Sequence, residues 1–189
     1  RDDNFTKLFP DGLVIGDADG ADDDDQFAVV LTSAEAVAKF LPKEGDPKRL
    51  TEDATDPGKN DSMGGSLAGQ LVAARLNVAV NDAGLVEGAS GSLSDMVLAE
   101  GEGDLAGKSV AQVIDMANGI VAGGTEKLKK AEIDIDGDGE PDVSGDDLVS
   151  ALKSINKSFD KGRDKGTLVR VVRSASADEG AADDDTRKR

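Results

Sequence analysis

The sequence contains no cysteine, no histidine, no tryptophan and no tyrosine. Without cysteine the chain can form neither a disulfide framework nor a zinc–thiolate site, and it has no thiol nucleophile. Without histidine it has no imidazole metal ligand and no Ser-His or Cys-His catalysis. The five phenylalanines are its only aromatic residues, so the core must be aliphatic and sugar binding by aromatic stacking is disfavoured. Any chemistry must use carboxylates, hydroxyls, amides or lysines.

Positive charge is scarce as well, because 22 Lys+Arg stand against 39 Asp+Glu in a chain of 189 residues, for a formal net charge of −17. Nucleic acids and anionic lipid headgroups attract cationic surfaces, so neither is an expected partner. No apolar run approaches the roughly 18 residues of a membrane span, and we expect no membrane insertion. The chain begins at Arg1 without a basic–apolar leader, which we interpret as a secreted, mature product whose signal peptide has been removed.

The acidic excess consists mainly of aspartate, with 29 Asp against 10 Glu. Aspartate favours turns and has the short reach that suits cation ligation by a loop. Two compatible interpretations stay open. One is the hydrated acidic surface of a halophilic protein, which also fits the few aromatic residues. The other is divalent-cation binding at particular loops.

Hydrophobic periodicity predicts an α+β fold, with three main amphipathic helices packed with a few short strands. Residues 1–172 are expected to form one domain, and residues 173–189, which lack core residues, a flexible charged tail. The domain includes two acidic loops, at residues 16–26 and 134–142. The predicted helices span residues 64–83, 110–122 and 144–162, and the predicted strands residues 12–15, 27–31, 96–99 and 167–172.

Local signals mark two helix starts and one loop. Residues 32–35 form a capping-box pattern with Thr32 as the predicted N-cap of a short helix. A second such pattern begins at Ser109 and opens the second long helix. Residues 43–62 are polar, contain proline and glycine, and predict a surface loop.

The most specific motif is the sequence DIDGDGEPD at residues 134–142. Acidic residues at alternate positions of a tight loop converge on one point, and glycine lets the chain turn sharply. Hard oxygen ligands in this number suit Ca²⁺. The predicted ligands are the carboxylates of Asp134, Asp136, Asp138 and Asp142 and the backbone carbonyl of Glu140. The alternative interpretation is a solvated acidic turn without an ion.

The pattern D-x-D-x-D-G-x-x-D resembles the calcium loops of integrin-type β-propeller repeats, thrombospondin type 3 repeats and dockerins. It also overlaps the first half of an EF-hand loop but departs from that pattern at its end. When Asp134 is counted as the first position, the twelfth is Gly145 rather than the bidentate glutamate. An EF-hand ligand set is complete only if Asp146 or Asp147 reaches the ion.

A second acidic cluster follows the first predicted strand, with the sequence DADGADDDD at residues 17–25. Asp17, Asp19 and Asp22 are candidate ligands of a further Ca²⁺, held within one chain or shared between subunits. The consecutive aspartates at residues 22–25 cannot all face one ion from an extended chain, and their mutual repulsion is costly without a cation. A halophilic surface loop is the alternative.

The acidic motif at residues 134–142 also allows one enzymatic interpretation. Residues 134–137 match the Asp-x-Asp-Gly signature of haloacid-dehalogenase-like phosphatases, in which the first aspartate is a nucleophile and Mg²⁺ is the cofactor. That motif requires a buried apolar strand immediately before it. Residues 128–133 are too polar for such a strand. We therefore expect a protein that is not an enzyme.

The order of several segments resembles accessory modules of secreted bacterial cell-surface and matrix proteins. The resemblance rests on FPDGLVIG at residues 9–16 and SINKSFD at residues 154–160, and on residues 31–42 and 67–78. It covers roughly residues 5–162 and implies a structural or adhesive module without catalytic residues. Modules of this kind lack the acidic motif at residues 134–142, so the predicted calcium site depends on the spacing of that motif alone.

Together these observations predict a secreted, calcium-binding structural or adhesive protein of the cell surface or extracellular matrix. Its expected partners are other surface proteins or other copies of itself, as a homo-oligomer or a polymer such as a filament. Assembly would use the terminal segments, since the strand at residues 167–172 offers an edge for pairing. The alternatives are a Mg²⁺-dependent hydrolase that uses Asp or Glu carboxylates and a soluble calcium buffer.

Overall fold

The structure, a computed structural model, describes residues 2–17, 26–59, 63–86, 91–99, 103–123, 128, 131–134, 142–159 and 169–171. The described residues form an α+β fold of five α-helices and seven short strands, the class that the sequence predicts. The helices are α1 (Asp2–Leu8), α2 (Ala34–Phe40), α3 (Gly65–Asp82), α4 (Val110–Ala122) and α5 (Gly145–Ser158). The strands are β1 (Leu13–Gly16), β2 (Ala28–Leu31), β3 (Ala54–Thr55), β4 (Met96–Leu98), β5 (Ala131–Ile133), β6 (Val143–Ser144) and β7 (Val169–Val171).

The three long helices α3, α4 and α5 form the centre of the fold, and each of them packs against the other two. Asp82 at the end of α3 is the one exposed residue of that helix, because both α4 and α5 pack on it. Helices α4 and α5 each bury most of the apolar stripe that their sequences predict, and Ile120 of α4 is half-buried. The buried members of these stripes are Val110, Val113, Ile114, Ala117 and Val121 in α4 and Leu148, Val149, Leu152 and Ile155 in α5. Helix α5 ends at Ser158, short of the predicted end at residue 162, and Phe159 is its C-cap.

The first two predicted strands, at residues 12–15 and 27–31, correspond to β1 and β2, which pair with each other. Strands β1 and β2 are antiparallel, with Leu13 opposite Leu31. Strand β3 then joins the other side of β2 in parallel, with Val29 opposite Ala54. The resulting three-stranded sheet has the order β1-β2-β3.

The segment predicted as a surface loop, residues 43–62, is partly built into the fold. It contributes β3, and both Leu50 and Lys43 are buried. The ammonium of Lys43 donates to the Gly58 carbonyl at 3.1 Å and lies 4.4 Å from the ring centre of Phe40. Most of the other described residues of this segment are exposed, so the prediction of a surface loop is confirmed for most of it and is wrong at β3, Lys43 and Leu50.

Helix α2 starts one residue later than its capping pattern predicts. Ser33, rather than Thr32, is the N-cap, and its hydroxyl accepts from the Ala36 N–H at 3.1 Å. Thr32 instead donates its N–H and its hydroxyl to the Asp56 carboxylate, at 2.7 and 2.6 Å. Hydrogen bonds from the Thr32 hydroxyl and backbone lower the pKa of Asp56. Because Asp56 engages the Thr32 hydroxyl, the neighbouring hydroxyl of Ser33 caps the helix.

Two further sheets have two strands each. Strand β7 pairs antiparallel with β4, with Val171 opposite Met96, so the predicted C-terminal strand is confirmed for residues 169–171. Strand β5 pairs antiparallel with β6. The predicted tail at residues 173–189 lies outside the described residues. Across the part of the chain that the structure describes, no helix combines the length and the apolar character needed to cross a membrane.

Candidate metal centre

Strands β5 and β6 form an antiparallel hairpin whose connection is the acidic motif. Ile133 pairs with Val143. Asp134 follows β5 directly, and Asp142 directly precedes β6. Strand pairing therefore places the first and last predicted ligands at the start and the end of one loop.

The residues at the two ends of this loop differ in exposure. Asp134 is exposed, and Asp142 is half-buried. The other predicted ligands, Asp136, Asp138 and Glu140, lie outside the described residues. Within the described ranges, no group of three or more acidic side chains is placed to hold a metal ion. The complete ligand set therefore stays a prediction from the sequence.

The helix that follows the loop begins with a capping box. Ser144 is the N-cap of α5, and its hydroxyl oxygen accepts from the Asp147 N–H at 3.2 Å. Oδ2 of Asp147 accepts in return from the Ser144 N–H at 2.9 Å and from the Ser144 hydroxyl at 2.6 Å. These hydrogen bonds fix the Asp147 carboxylate at the start of the helix. Because both bonds to the carboxylate end on Oδ2, Asp147 could serve as an ion ligand through its other oxygen, Oδ1.

The contact between Gly145 and Leu128 explains why the glutamate of an EF-hand is missing. A Cβ on Gly145 would overlap the Cβ and the carbonyl oxygen of Leu128. The Leu128 side chain is fully buried, and its carbonyl accepts from the Gly145 N–H at 2.8 Å. No side chain fits at the position that ends an EF-hand ligand set. Asp146 and Asp147, the two aspartates that could extend the set, are both exposed in the first turn of α5.

The donor chemistry of the motif fits Ca²⁺. Its carboxylates and its carbonyl are hard oxygen donors, and Ca²⁺ takes about six to eight such ligands in flexible geometry. Mg²⁺ demands a near-ideal octahedron and gives up its water reluctantly. Zn²⁺ favours nitrogen and sulfur ligands, and the chain has neither histidine nor cysteine. Among common divalent cations, Ca²⁺ therefore matches this donor set best.

The second acidic cluster is also the connection of a hairpin, between β1 and β2. The N–H of Asp17 donates to the Phe27 carbonyl at 3.1 Å and closes this hairpin. Asp17 is half-buried. The predicted ligands Asp19 and Asp22 lie outside the described residues. Both predicted cation loops thus begin and end at paired strands.

Asn118 holds the start of the second loop, a role that no motif in the sequence predicts. Its side-chain amide accepts from the Gly16 N–H at 3.0 Å and donates to the Gly16 carbonyl at 2.9 Å. Asn118 therefore pairs with the end of β1 as a neighbouring strand would. The sequence carries one signal of this role, because Asn118 is a polar residue between Ile114 and Val121 in the apolar stripe of α4.

Arg75 of α3 covers the same edge of β1. Its guanidinium donates to the Val14 carbonyl and, at 3.1 Å, to Oδ1 of Asn118. Burial lowers the pKa of Arg75, and the carboxylate of Asp115 opposes that shift. Side chains from two helices thus occupy this sheet edge, which protects it from the addition of a further strand.

The strand before Asp134 differs from the one that the dehalogenase-like motif requires. Strand β5 has 3 residues and is antiparallel to its neighbour, whereas that motif follows a buried, central parallel strand.

Comparisons of the chain with family models, with curated proteins and with solved structures found no match. The resemblance to accessory modules of cell-surface proteins therefore stays a prediction.

Proposed function

We propose that the chain is a secreted, calcium-binding structural or adhesive module of a cell surface or extracellular matrix, with Ca²⁺ held by residues 134–142. The β5–β6 hairpin is the observation that carries this proposal. Asp134 follows Ile133 and Asp142 precedes Val143, and Ile133 and Val143 are paired across the hairpin. Like charges that two paired strands bring close together are destabilising. A cation between them turns this repulsion into attraction.

The charge of the whole chain gives the ion a second role. At a formal net charge of −17, neighbouring copies repel each other. Ca²⁺ reduces this repulsion and so favours assembly with other copies or with other surface proteins. Strand β7 supports assembly through the C-terminal segment, because it is an edge strand of a two-stranded sheet and an edge strand can pair with another chain.

The two alternative functions predict different behaviour. A soluble calcium buffer stays monomeric in millimolar Ca²⁺ and holds several ions weakly, whereas the proposed module assembles, and light scattering separates the two. A Mg²⁺-dependent hydrolase loses turnover when Asp136 is replaced, whereas a structural module loses only stability.

The calcium site is tested by the melting temperature of the chelated protein, measured with and without added Ca²⁺ at fixed ionic strength. A ligand at about 100 times its Kd adds about 2.7 kcal/mol to the free energy of unfolding. Each kcal/mol moves the midpoint of a domain of this size by roughly 2–4 °C. We therefore expect Ca²⁺ to raise the melting temperature by roughly 5–10 °C, and Mg²⁺ to raise it less.

Asp136→Asn is expected to abolish this rise, because it removes a carboxylate from the middle of the predicted ligand set. Asp95→Asn is the matched control, since Asp95 is exposed, lies outside both acidic loops and loses the same charge. A rise that persists in Asp136→Asn, or that Mg²⁺ reproduces in full, contradicts a calcium site at residues 134–142.

A further inference from the structure

Ser144 belongs to two structural elements at once. It is the last residue of β6, opposite Ala131 of β5, and it is also the N-cap of α5. Its capping box with Asp147 uses both its backbone N–H and its hydroxyl. The end of the hairpin and the first turn of the helix therefore share one set of hydrogen bonds.

A second hydrogen bond ties the other side of the hairpin to the same helix end. The N–H of Gly145, the first residue of α5, donates to the Leu128 carbonyl at 2.8 Å. Leu128 precedes β5 and is fully buried, whereas Gly145 follows β6. This bond joins the segment before β5 to the segment after β6, and so connects the two sides of the hairpin outside its paired strands. The first turn of α5 is thus connected to the chain on both sides of the loop.

Helix α5 in turn supports the centre of the molecule. Leu148, the fourth residue of the helix, is fully buried. The helix packs on both α3 and α4. Near its other end, the Asn156 amide donates to the Gln70 carbonyl at 3.0 Å and accepts from Asn77 at 2.9 Å. Helix α5 is therefore packed on the core and is hydrogen-bonded to α3 near its C-terminal end.

From these contacts we infer that calcium at residues 134–142 is thermodynamically coupled to the N-terminal cap of α5, so that the ion acts as a clamp on this helix. The inference rests on the proposed calcium site. An ion that draws Asp134 and Asp142 together favours the paired hairpin, and the paired hairpin positions Ser144 to cap α5. Coupling of this kind is reciprocal. Loss of the cap therefore weakens Ca²⁺ binding, although Ser144 is outside the predicted ligand set.

Calorimetric titration of Ca²⁺ into the full chain and into its Ser144→Ala variant measures this coupling. We expect the variant to bind Ca²⁺ with about a fivefold higher Kd, which corresponds to about 1 kcal/mol. Ser144→Thr keeps a hydroxyl that can cap the helix and is expected to restore the affinity of the wild type. Circular dichroism establishes that each variant is folded before titration.

Ser109→Ala is the matched control. Ser109 forms the same type of capping box with Gln112 at the start of α4, with hydrogen bonds of 2.8 and 3.1 Å, as its sequence pattern predicts. This variant is expected to lower the melting temperature as Ser144→Ala does, since both lose an N-cap. It should leave the Kd for Ca²⁺ unchanged, because its cap belongs to a different helix.

Amide hydrogen exchange gives a second readout. Ca²⁺ is expected to slow exchange at the amides of Gly145 and Asp147, which donate to Leu128 and Ser144, and to leave the first turn of α4 unaffected. An unchanged Kd in Ser144→Ala, or unchanged exchange at these two amides, overturns the coupling while the calcium site stands. A wild-type chain that takes up no Ca²⁺ overturns the proposed function and the coupling with it.

Discussion

Asn118 shows how one side chain can replace a neighbouring strand. Its amide pairs with the N–H and the carbonyl of Gly16 at the edge of β1, and its oxygen also accepts from Arg75. We expect Asn118→Leu to lower the free energy of unfolding by about 2–3 kcal/mol, because it leaves partly buried polar groups without their partner. Urea denaturation measures this loss as a lower midpoint at an unchanged m-value.

Asn77→Leu is the control for this substitution. Asn77 donates to the side chain of Asn156 at 2.9 Å, so the variant breaks a bond between two helices and leaves the edge of β1 intact. We expect a smaller loss, about 1 kcal/mol, as is usual for one hydrogen bond. Equal losses in the two variants would contradict the role of Asn118 as a substitute for a strand.

Single-residue assignments depend on partners that are distant in the sequence. Thr32 and Ser33 both carry a hydroxyl suited to an N-cap, and the choice between them is made by Asp56, which lies beyond the next helix. Gly145 is explained only by Leu128, which the fold places against it. Sequence patterns therefore predict the type of chemistry at such positions, whereas the identity of the interacting residue requires the fold.

Among the elements, the long helices are predictable from the sequence and the shortest strands are not. Helices α3, α4 and α5 have 18, 13 and 14 residues, enough turns for a 3.6-residue period to show. Strands β3 and β6 have 2 residues each, too few to show alternation. Residue spacing thus predicts the acidic motif at residues 134–142, but the hairpin that closes it depends on strand pairing that the spacing does not reveal.

Glycines within two of these helices lead to predictions of opposite sign. Gly119 in α4 is exposed, and a Cβ there would meet open space. Gly119→Ala is therefore expected to stabilise the protein by about 0.5–1 kcal/mol, the usual gain in a helix interior. Gly69 in α3 faces Lys43, whose Cβ would lie 2.7 Å from the new Cβ. Gly69→Ala is therefore expected to destabilise the protein despite the same gain in propensity.

Thermal unfolding of the two glycine variants beside the wild type checks both signs. The same substitution is made in two helix interiors, so the difference between the variants reports the close approach of Lys43 to α3. A stabilised Gly69→Ala variant would show that Lys43 moves away at little cost, contrary to its buried position against the Phe40 ring.

In the molecule as a whole, the two acidic loops have the same arrangement. Each connects an antiparallel strand pair, β1–β2 or β5–β6. Each pair is also tied to a helix end, since Phe27 donates to the Ala122 carbonyl at the end of α4 and Gly145 begins α5. Ion binding by such loops is a local explanation of the acidic composition, whereas a hydrated, salt-tolerant surface is a global one.

The two explanations predict separate responses to salt. NaCl screens the self-repulsion of a chain with net charge −17, because the Debye length falls from about 10 Å at 0.1 M to about 3 Å at 1 M. We therefore expect the melting temperature to rise with NaCl equally in the wild type and in Asp136→Asn, which differ by one charge. Thermal scans over a series of NaCl concentrations measure this response.

Ca²⁺ added at fixed high NaCl is expected to raise the melting temperature further in the wild type alone. Screening acts on the total charge, whereas ligation depends on several oxygens that surround one ion. A response to Ca²⁺ that disappears at high NaCl would therefore mean diffuse attraction to an acidic surface. A melting temperature that does not change with NaCl would instead exclude salt adaptation as the reason for the acidity and leave ion binding by the loops as its explanation.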